Sequence, residues 1–178
     1  MTVTLGDLKK TCNGNPKPSG LTTKLSLIPI CDIETFGTIE DMTAATIDLV
    51  GKVTSANVPK TDKGHITVEL SLHKNGLKGG VKGANGNGNI SSGIYGKIEG
   101  FSDDTVGTLN VLRNIPLLAI VTMPDGESFQ VGEEDLPAFL TFEYDTLTTD
   151  ADDVAGFDIA IDSVAAYLHK FDKTLTIA

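Results

Sequence analysis

Gly93-Ile-Tyr-Gly-Lys-Ile-Glu-Gly-Phe-Ser-Asp-Asp-Thr105, continuing to Gly132, decides the fold class, because three kinds of element follow one another in it. Residues 93–100 read as a strand, with Ile94 and Ile98 on one face and Gly96 between them. Ser102 then offers a helix N-cap, and Asp103 and Asp104 meet the positive end of the helix dipole. Val106, Leu109 and Leu112 fall at near-helical spacing, and Asn114 before Pro116 ends the helix. Leu117–Met123 is a buried strand, Pro124-Asp-Gly126 a turn, and Glu127–Val131 the returning strand. The block carries no recognisable catalytic chemistry and reads as part of a small β-rich building block.

Working outward, further strands are expected at Thr22–Ile30, where Pro29 marks an edge or a strand end, and at Thr46–Val50. Ile66–His73 alternates most cleanly, four apolar residues inward and four polar outward. Phe139–Tyr144 and Phe157–Asp162 are two more, and Val164–Leu168 and Leu175–Ile177 could continue a sheet. Several short strands, Gly, Pro and Asp turns and one flanking helix predict a mainly β fold, an antiparallel sandwich or barrel. Residues 21–178 are expected to form one such domain behind an N-terminal arm at 1–20, which contains Asn13-Gly-Asn-Pro-Lys-Pro-Ser-Gly20. A 178-residue domain buries about 70% of its unfolded surface, enough for a sizeable core.

The stretch Gly76–Gly96 stands apart, with eight glycines in 21 residues. That density makes ordering expensive and predicts a long Gly-rich hairpin loop. Two readings stand side by side: a mobile hairpin tip, or an arm that orders only against a neighbouring subunit. Lys74, Gly76, Lys78, Gly80, Lys82, Asn85, Asn87 and Asn89 are the candidate interface residues of such an arm, and its lysines would suit an acidic neighbour.

Charge divides by halves. Residues 1–100 hold 11 Lys/Arg against 9 Asp/Glu, and residues 101–178 hold 3 against 15, for a net charge of −10. Acidity of this kind serves solubility, or else lets the basic half of one copy meet the acidic half of the next. It argues against tight binding of a phosphate backbone. Glu133, Glu134, Asp135, Asp150, Asp152 and Asp153 are the candidate acidic surface. Asp150 and Asp152 have the opening spacing of a calcium loop, but Val154 and Ile161 occupy later ligand positions, so a solvated acidic loop is the better reading.

Signatures of catalysis and cofactor binding fail on inspection. The glycine run lacks Gly-Lys-Ser/Thr and dinucleotide-fingerprint spacing, and Ser92-Gly93 is no nucleophile elbow. His65 and His73 sit at opposite ends of one strand, a poor geometry for a shared metal, and are expected at the surface. No cofactor or metal is expected. Cys12 and Cys31 read as two reduced thiols, although they could bridge. No apolar run approaches the ~18 residues of a membrane span, and the N-terminus lacks signal-peptide character, so synthesis and retention in a cytoplasm are expected.

The order Gly20-Leu through Ile28-Pro-Ile-Cys-Asp32-Ile, then strand, Gly-rich hairpin, Glu99-Gly-Phe, Asp125-Gly, Val131-Gly132 and Gly156-Phe-Asp-Ile-Ala-Ile161, resembles the tail tube proteins of tailed bacteriophages. The likeness is one of layout and short phrases over most of residues 20–170. It implies a non-enzymatic virion protein, assembled in the host bacterial cytoplasm. It further implies a β-sandwich or barrel with a flanking helix, six-membered rings with a β-lined channel, and rings stacked through loops and arms. The implied partners are further copies of the chain, other tail proteins, and genomic DNA passing without specific binding. Three other readings stay open: a ligand- or sugar-binding β-sandwich, a small hydrolase using acidic residues of the second half, and a capsid decoration or head–tail joining protein.

Overall fold

Leu117-Leu-Ala-Ile-Val-Thr122 forms a strand whose neighbours along the chain bury alternately on opposite sides, and the rest of the structure is arranged about it. The computed structural model describes Thr22 and residues 24–71, 74–83, 88–146 and 155–171. It is mainly β. In chain order the strands are β1 (Lys24–Pro29), β2 (Ile33–Thr35), β3 (Lys52–Val53), β4 (Val58–Pro59), β5 (Ile66–Glu69), β6 (Gly76–Lys82) and β7 (Asn89–Glu99). After helix α1 (Asp103–Leu112) come β8 (Leu117–Thr122), β9 (Ser128–Val131), β10 (Phe139–Asp145), β11 (Gly156–Ala165) and β12 (His169–Phe171).

Six strands form one sheet in the order β3-β12-β9-β8-β1-β5, four form a second in the order β10-β11-β7-β6, and β2 pairs with β4. The second sheet is antiparallel throughout, and its spine is the ten-pair ladder from Gly156 opposite Glu99 to Ala165 opposite Ile90. One core lies between these sheets. Leu25, Leu27, Leu117, Ala119, Val121 and Val131 of the first meet Ile94, Ile98, Leu140, Phe157, Ile159 and Ile161 of the second, with Leu109 and Leu112 of α1. The opposite face of the first sheet is also covered: Ile28, Leu118, Ile120 and Phe171 pack with Ile33 and Val53 under Phe36 and Ile39. Burial on both faces explains why β8 reads as a continuous apolar run rather than an alternation.

Local signals act where the sequence places them. Ser102 caps α1 by accepting the Thr105 N–H at 3.1 Å. The helix ends after Leu112, and Val106 stays exposed while Leu109 and Leu112 are buried. Gly126 supplies the positive φ of the β8–β9 turn, where its N–H reaches the Met123 carbonyl. Pro29 ends β1, which lies inside its sheet between β8 and β5.

Several expectations change. Thr46–Val50 is not a strand: Ile47–Leu49 forms a 3-10 turn, and Gly51 at φ +76° reverses the chain directly after it. The Ile66–His73 strand stops at Glu69, because the chain leaves the six-stranded sheet there. Leu70 turns into the shared core, and the Ser71 N–H donates to the Lys97 carbonyl of β7. His73 lies outside the described residues, as do Cys12 and Leu175–Ile177. The long loop at 76–96 is instead a hairpin of β6 and β7, registered from Gly76 opposite Tyr95 to Lys82 opposite Asn89. Ladder hydrogen bonds offset the entropy that its glycines cost. Residues 164–168 divide between the end of β11 and the bend into β12.

Two turn glycines separate backbone conformation from crowding. Gly126 at φ +89° faces open space, whereas a Cβ on Gly132, at φ +95°, would stand 2.8 Å from the Leu117 carbonyl oxygen and 2.9 Å from the Ala138 nitrogen. Gly126→Ala should therefore cost about 1 kcal/mol from conformation alone. Gly132→Ala should cost about 3 kcal/mol, because backbone atoms flank it. Urea unfolding of the two variants measures the difference.

Candidate functional site

The outer face of the four-stranded sheet is built by alternation. Register places Lys78 and Lys82 of β6, Gly93, Tyr95, Lys97 and Glu99 of β7, Asp158 and Asp162 of β11, and Glu143 and Asp145 of β10 on this one face. Lys78, Gly93 and Asp162 stand in one row across three strands. With no side chain at Gly93, the Tyr95 ring lies over the gap. Its hydroxyl donates to Asp162 Oδ1 at 3.0 Å, and Lys78 Nζ sits 5.4 Å from the ring centroid. A Cβ at Gly93 would collide with both the Asp162 carboxylate and the Tyr95 hydroxyl. The hydrogen bond to Asp162 raises the Tyr95 pKa. The face thus has a fixed polar pattern, with exposed acids outnumbering exposed lysines.

Of the sequence candidates, Lys74, Lys78, Gly80, Lys82 and Asn89 are exposed, and Gly76 is half-buried at the start of β6. Gly76, Lys78, Gly80 and Lys82 belong to the edge strand β6 and Asn89 opens β7 beside it, while Lys74 precedes β6. Asn85 and Asn87 lie outside the described residues, as do Asp150, Asp152 and Asp153. The structure does bring Glu133, Glu134 and Asp135 together, in the connection between β9 and β10. They rim a cavity of about 190 Å³ with Phe36, Asn57 and Gln130.

Behind that rim lies a buried polar chain. The Gly37 N–H donates to Asn57 Oδ1 at 2.8 Å, Asn57 Nδ2 to Gln130 Oε1 at 3.2 Å, and Gln130 Nε2 to the Gly132 carbonyl at 3.1 Å. His169, paired across the ladder with Gln130, is 2% exposed, with Nε2 3.8 Å from Glu133 Oε2. That separation is too long for a hydrogen bond. Burial, and secondarily Asp135, pushes the Glu133 carboxyl up, while burial pushes His169 down. His65, expected at the surface, is also 2% exposed and likewise shifted down by burial. It directly precedes β5, and spacing alone does not show its burial. Among the described residues no group of three or more His, Cys, Asp or Glu could hold a metal ion. Cys31 is an exposed free thiol.

Two hollows flank α1. One of about 530 Å³ lies against β5 and is lined by Ile66, Val68, Leu70, Asp104 and Thr108. The other, about 350 Å³, is aromatic and open: Phe101, Val106, Phe142, Tyr144 and Phe157 line it. Phe157 is its floor, with the Phe101 ring at 4.9 Å, Phe142 at 5.7 Å and Tyr144 at 6.4 Å. Sequence reasoning missed this groove. Its signal was present, since Phe101 and Val106 occupy the two positions of a hydrophobic staple about the Ser102 cap.

No helix among the described residues is long and apolar enough to cross a membrane. Comparison of the chain with protein-family models, with curated proteins and with solved structures finds no match.

The histidines set a pH dependence. Both are shifted down by burial, so the unfolded chain accepts a proton that the folded chain resists. Their stabilising contribution is complete above the unfolded histidine pKa of about 6.5 and declines as pH falls through it. Glu133, shifted up, acts oppositely and relieves its own penalty as pH falls through its raised pKa. The melting temperature should drop between about pH 7.5 and 5.5, where histidine titration dominates. A His65→Gln/His169→Gln chain should show a flatter profile in the same thermal scans.

Proposed function

We propose that the chain is a structural virion protein, the subunit of a phage tail tube whose rings stack into a channel for DNA. The observation that carries this reading is the open four-stranded sheet. Its edges, β6 and β10, each lack a further strand partner among the described residues. Successive antiparallel pairings make β6 and β10 run in opposite directions. The β6 edge of one copy can therefore extend the β10 edge of the next as one antiparallel sheet. Open edges endanger a monomer, and a ring that pairs every edge removes the hazard. In this reading the two sheets form the sandwich of a tube subunit, and six copies close the four-stranded sheets around the lumen.

The outer face of that sheet suits a DNA conduit. Glu99, Glu143, Asp145, Asp158 and Asp162 would present carboxylates to the passing backbone, and repulsion keeps transit free of lasting contacts. Lys78 and Lys82 lie beside the β6 edge, where they would meet the acids of a neighbour's β10. Other tail proteins would meet the ends of the stack. A second reading, a ligand-binding β module, draws on the 530 Å³ hollow between β5 and α1.

Negative-stain electron microscopy over a range of protein concentrations tests the proposal. Rings or tubes with a central channel are expected, and Lys78→Glu should weaken them, with salt doing the same to the parent assembly. Uniform monomers at all concentrations would favour the ligand-binding module instead.

A further inference from the structure

The six-stranded sheet is closed at one edge and open at the other. At the β3 edge Ile39 bridges Val53, the Glu40 N–H donates to the Lys52 carbonyl at 3.0 Å, and the Thr54 N–H donates to the Thr38 carbonyl at 2.8 Å. At the opposite edge β5 pairs with β1 alone, and no further strand joins it among the described residues. Along such an antiparallel edge, every second residue turns its N–H and C=O outward. Ile66 and Val68 pack against the core between the sheets, opposite Leu27 and Leu25. They stay half-buried, whereas those two leucines are fully buried. The hollow of about 530 Å³ runs along this edge from Ile66 to Ser71, with α1 as its far wall. A further 480 Å³ or so continues it past Ile66 to Val111, which is 60% exposed.

Exposed Glu69, Glu99 and Asp104 rim the hollow, and none of its described lining residues is Lys or Arg. The chain enters the sheet beside this edge. The Thr22 N–H donates to the Thr122 carbonyl, and Lys24 stands opposite Glu69, the last residue of β5. Ahead of that entry the sequence has the pattern of a strand and a tether. Met1-Thr-Val-Thr-Leu5 alternates apolar with polar and is rich in β-branched residues. Lys9 and Lys10 follow, and residues 13–20 carry the Gly, Pro and Asn of a turning connection. Thr174-Leu-Thr-Ile177 alternates as well, but the chain leaves β12 at Phe171. From there a strand laid outside β5 is five strand spacings away, roughly 24 Å. Residues 172–174 extend no more than roughly 11 Å, far too little for that crossing.

We infer that residues 1–5 of the same chain lie in this hollow as a further strand on the β5 edge, their apolar side chains covering Ile66 and Val68. Lys9 and Lys10 then meet the acidic rim of Glu69, Glu99 and Asp104. Residues 6–21 are the tether. As a coil, sixteen residues have a root-mean-square span of roughly 22 Å. Two strand spacings, from β1 to a strand beyond β5, are only roughly 10 Å. Such a tether holds the segment at an effective concentration on the order of millimolar, which favours the chain's own edge over a neighbour's. The added strand gives the outward groups of β5 their partners and removes an edge that templates association. The contact is independent of the tube reading, and it occupies the hollow on which the ligand-binding alternative draws.

Amide hydrogen exchange of the full chain, read by mass spectrometry over a wide range of protein concentration, tests the contact. The comparison chain is the full-length double variant Val3→Asp/Leu5→Asp. Residues 1–5 and the outward amides of β5 should exchange roughly tenfold or more slowly in the parent than in the variant, equally at every concentration. Exchange across β8 and β9 should be the same in both chains, since the core does not include the segment. Lys9→Glu/Lys10→Glu should produce a partial loss of the same protection, and added salt should do likewise in the parent. Exchange of residues 1–5 at the rate of a free peptide overturns the contact, as does β5 protection that Val3→Asp/Leu5→Asp leaves unchanged. Protection that falls on dilution assigns the edge to another copy's segment and overturns it equally.

Discussion

Burial of Leu117–Thr122 on both faces is the constraint on which the other elements depend. Leu117, Ala119 and Val121 require the second sheet and α1 on one side, while Leu118 and Ile120 require a cover on the other. Each such side chain contributes about 1.5–3 kcal/mol when fully buried, so neither face can be left to solvent. The irregular segment from Ile30 to Pro59 follows from the second requirement. It has little regular structure, yet Ile33, Phe36, Ile39 and Val53 hold it against the sheet. The first requirement places the four-stranded sheet, whose outer face carries exposed Lys78, Lys82, Glu99, Glu143, Asp145, Asp158 and Asp162, with Lys97 buried among them.

That unequal treatment of two sheets links packing to the proposed assembly. The six-stranded sheet spends both faces on the core of its own chain. The four-stranded sheet spends one, and its edge strands β6 and β10 have no further strand partner among the described residues. Three of its glycines serve close approach: Gly79 lets the Ser91 carbonyl near, Gly93 makes room for Tyr95, and Gly96 for Leu70, whereas Gly76 and Gly80 face open space.

Much of the fold was legible because its signals are local. The Ser102 cap, the Pro124-Asp-Gly126 turn, the β8 run and the alternation of Phe139–Tyr144 and Phe157–Asp162 each act within a few residues. The same logic failed where tertiary contacts compete. Ile66–His73 has perfect alternation, yet the chain changes sheets at Leu70 because that side chain fits above Gly96. Glycine density at 76–96 promised a loop, yet the partner strand supplied ladder bonds that composition does not reveal. His65 looked polar and exposed, but the fold buries it.

By itself the sequence determined the mainly β class of the fold, the order and kind of most of its elements, and a charge polarity between its two halves. Backbone dihedral preferences, caps and side-chain periodicity settle these over short spans, where loop closure costs little. Only the tertiary structure decided which strands share a sheet, which face of each meets the core, and that Phe101, Tyr144 and Phe157 meet in one groove. Those outcomes depend on long-range pairings whose entropic cost is repaid only when both sheets, the helix and the core form together.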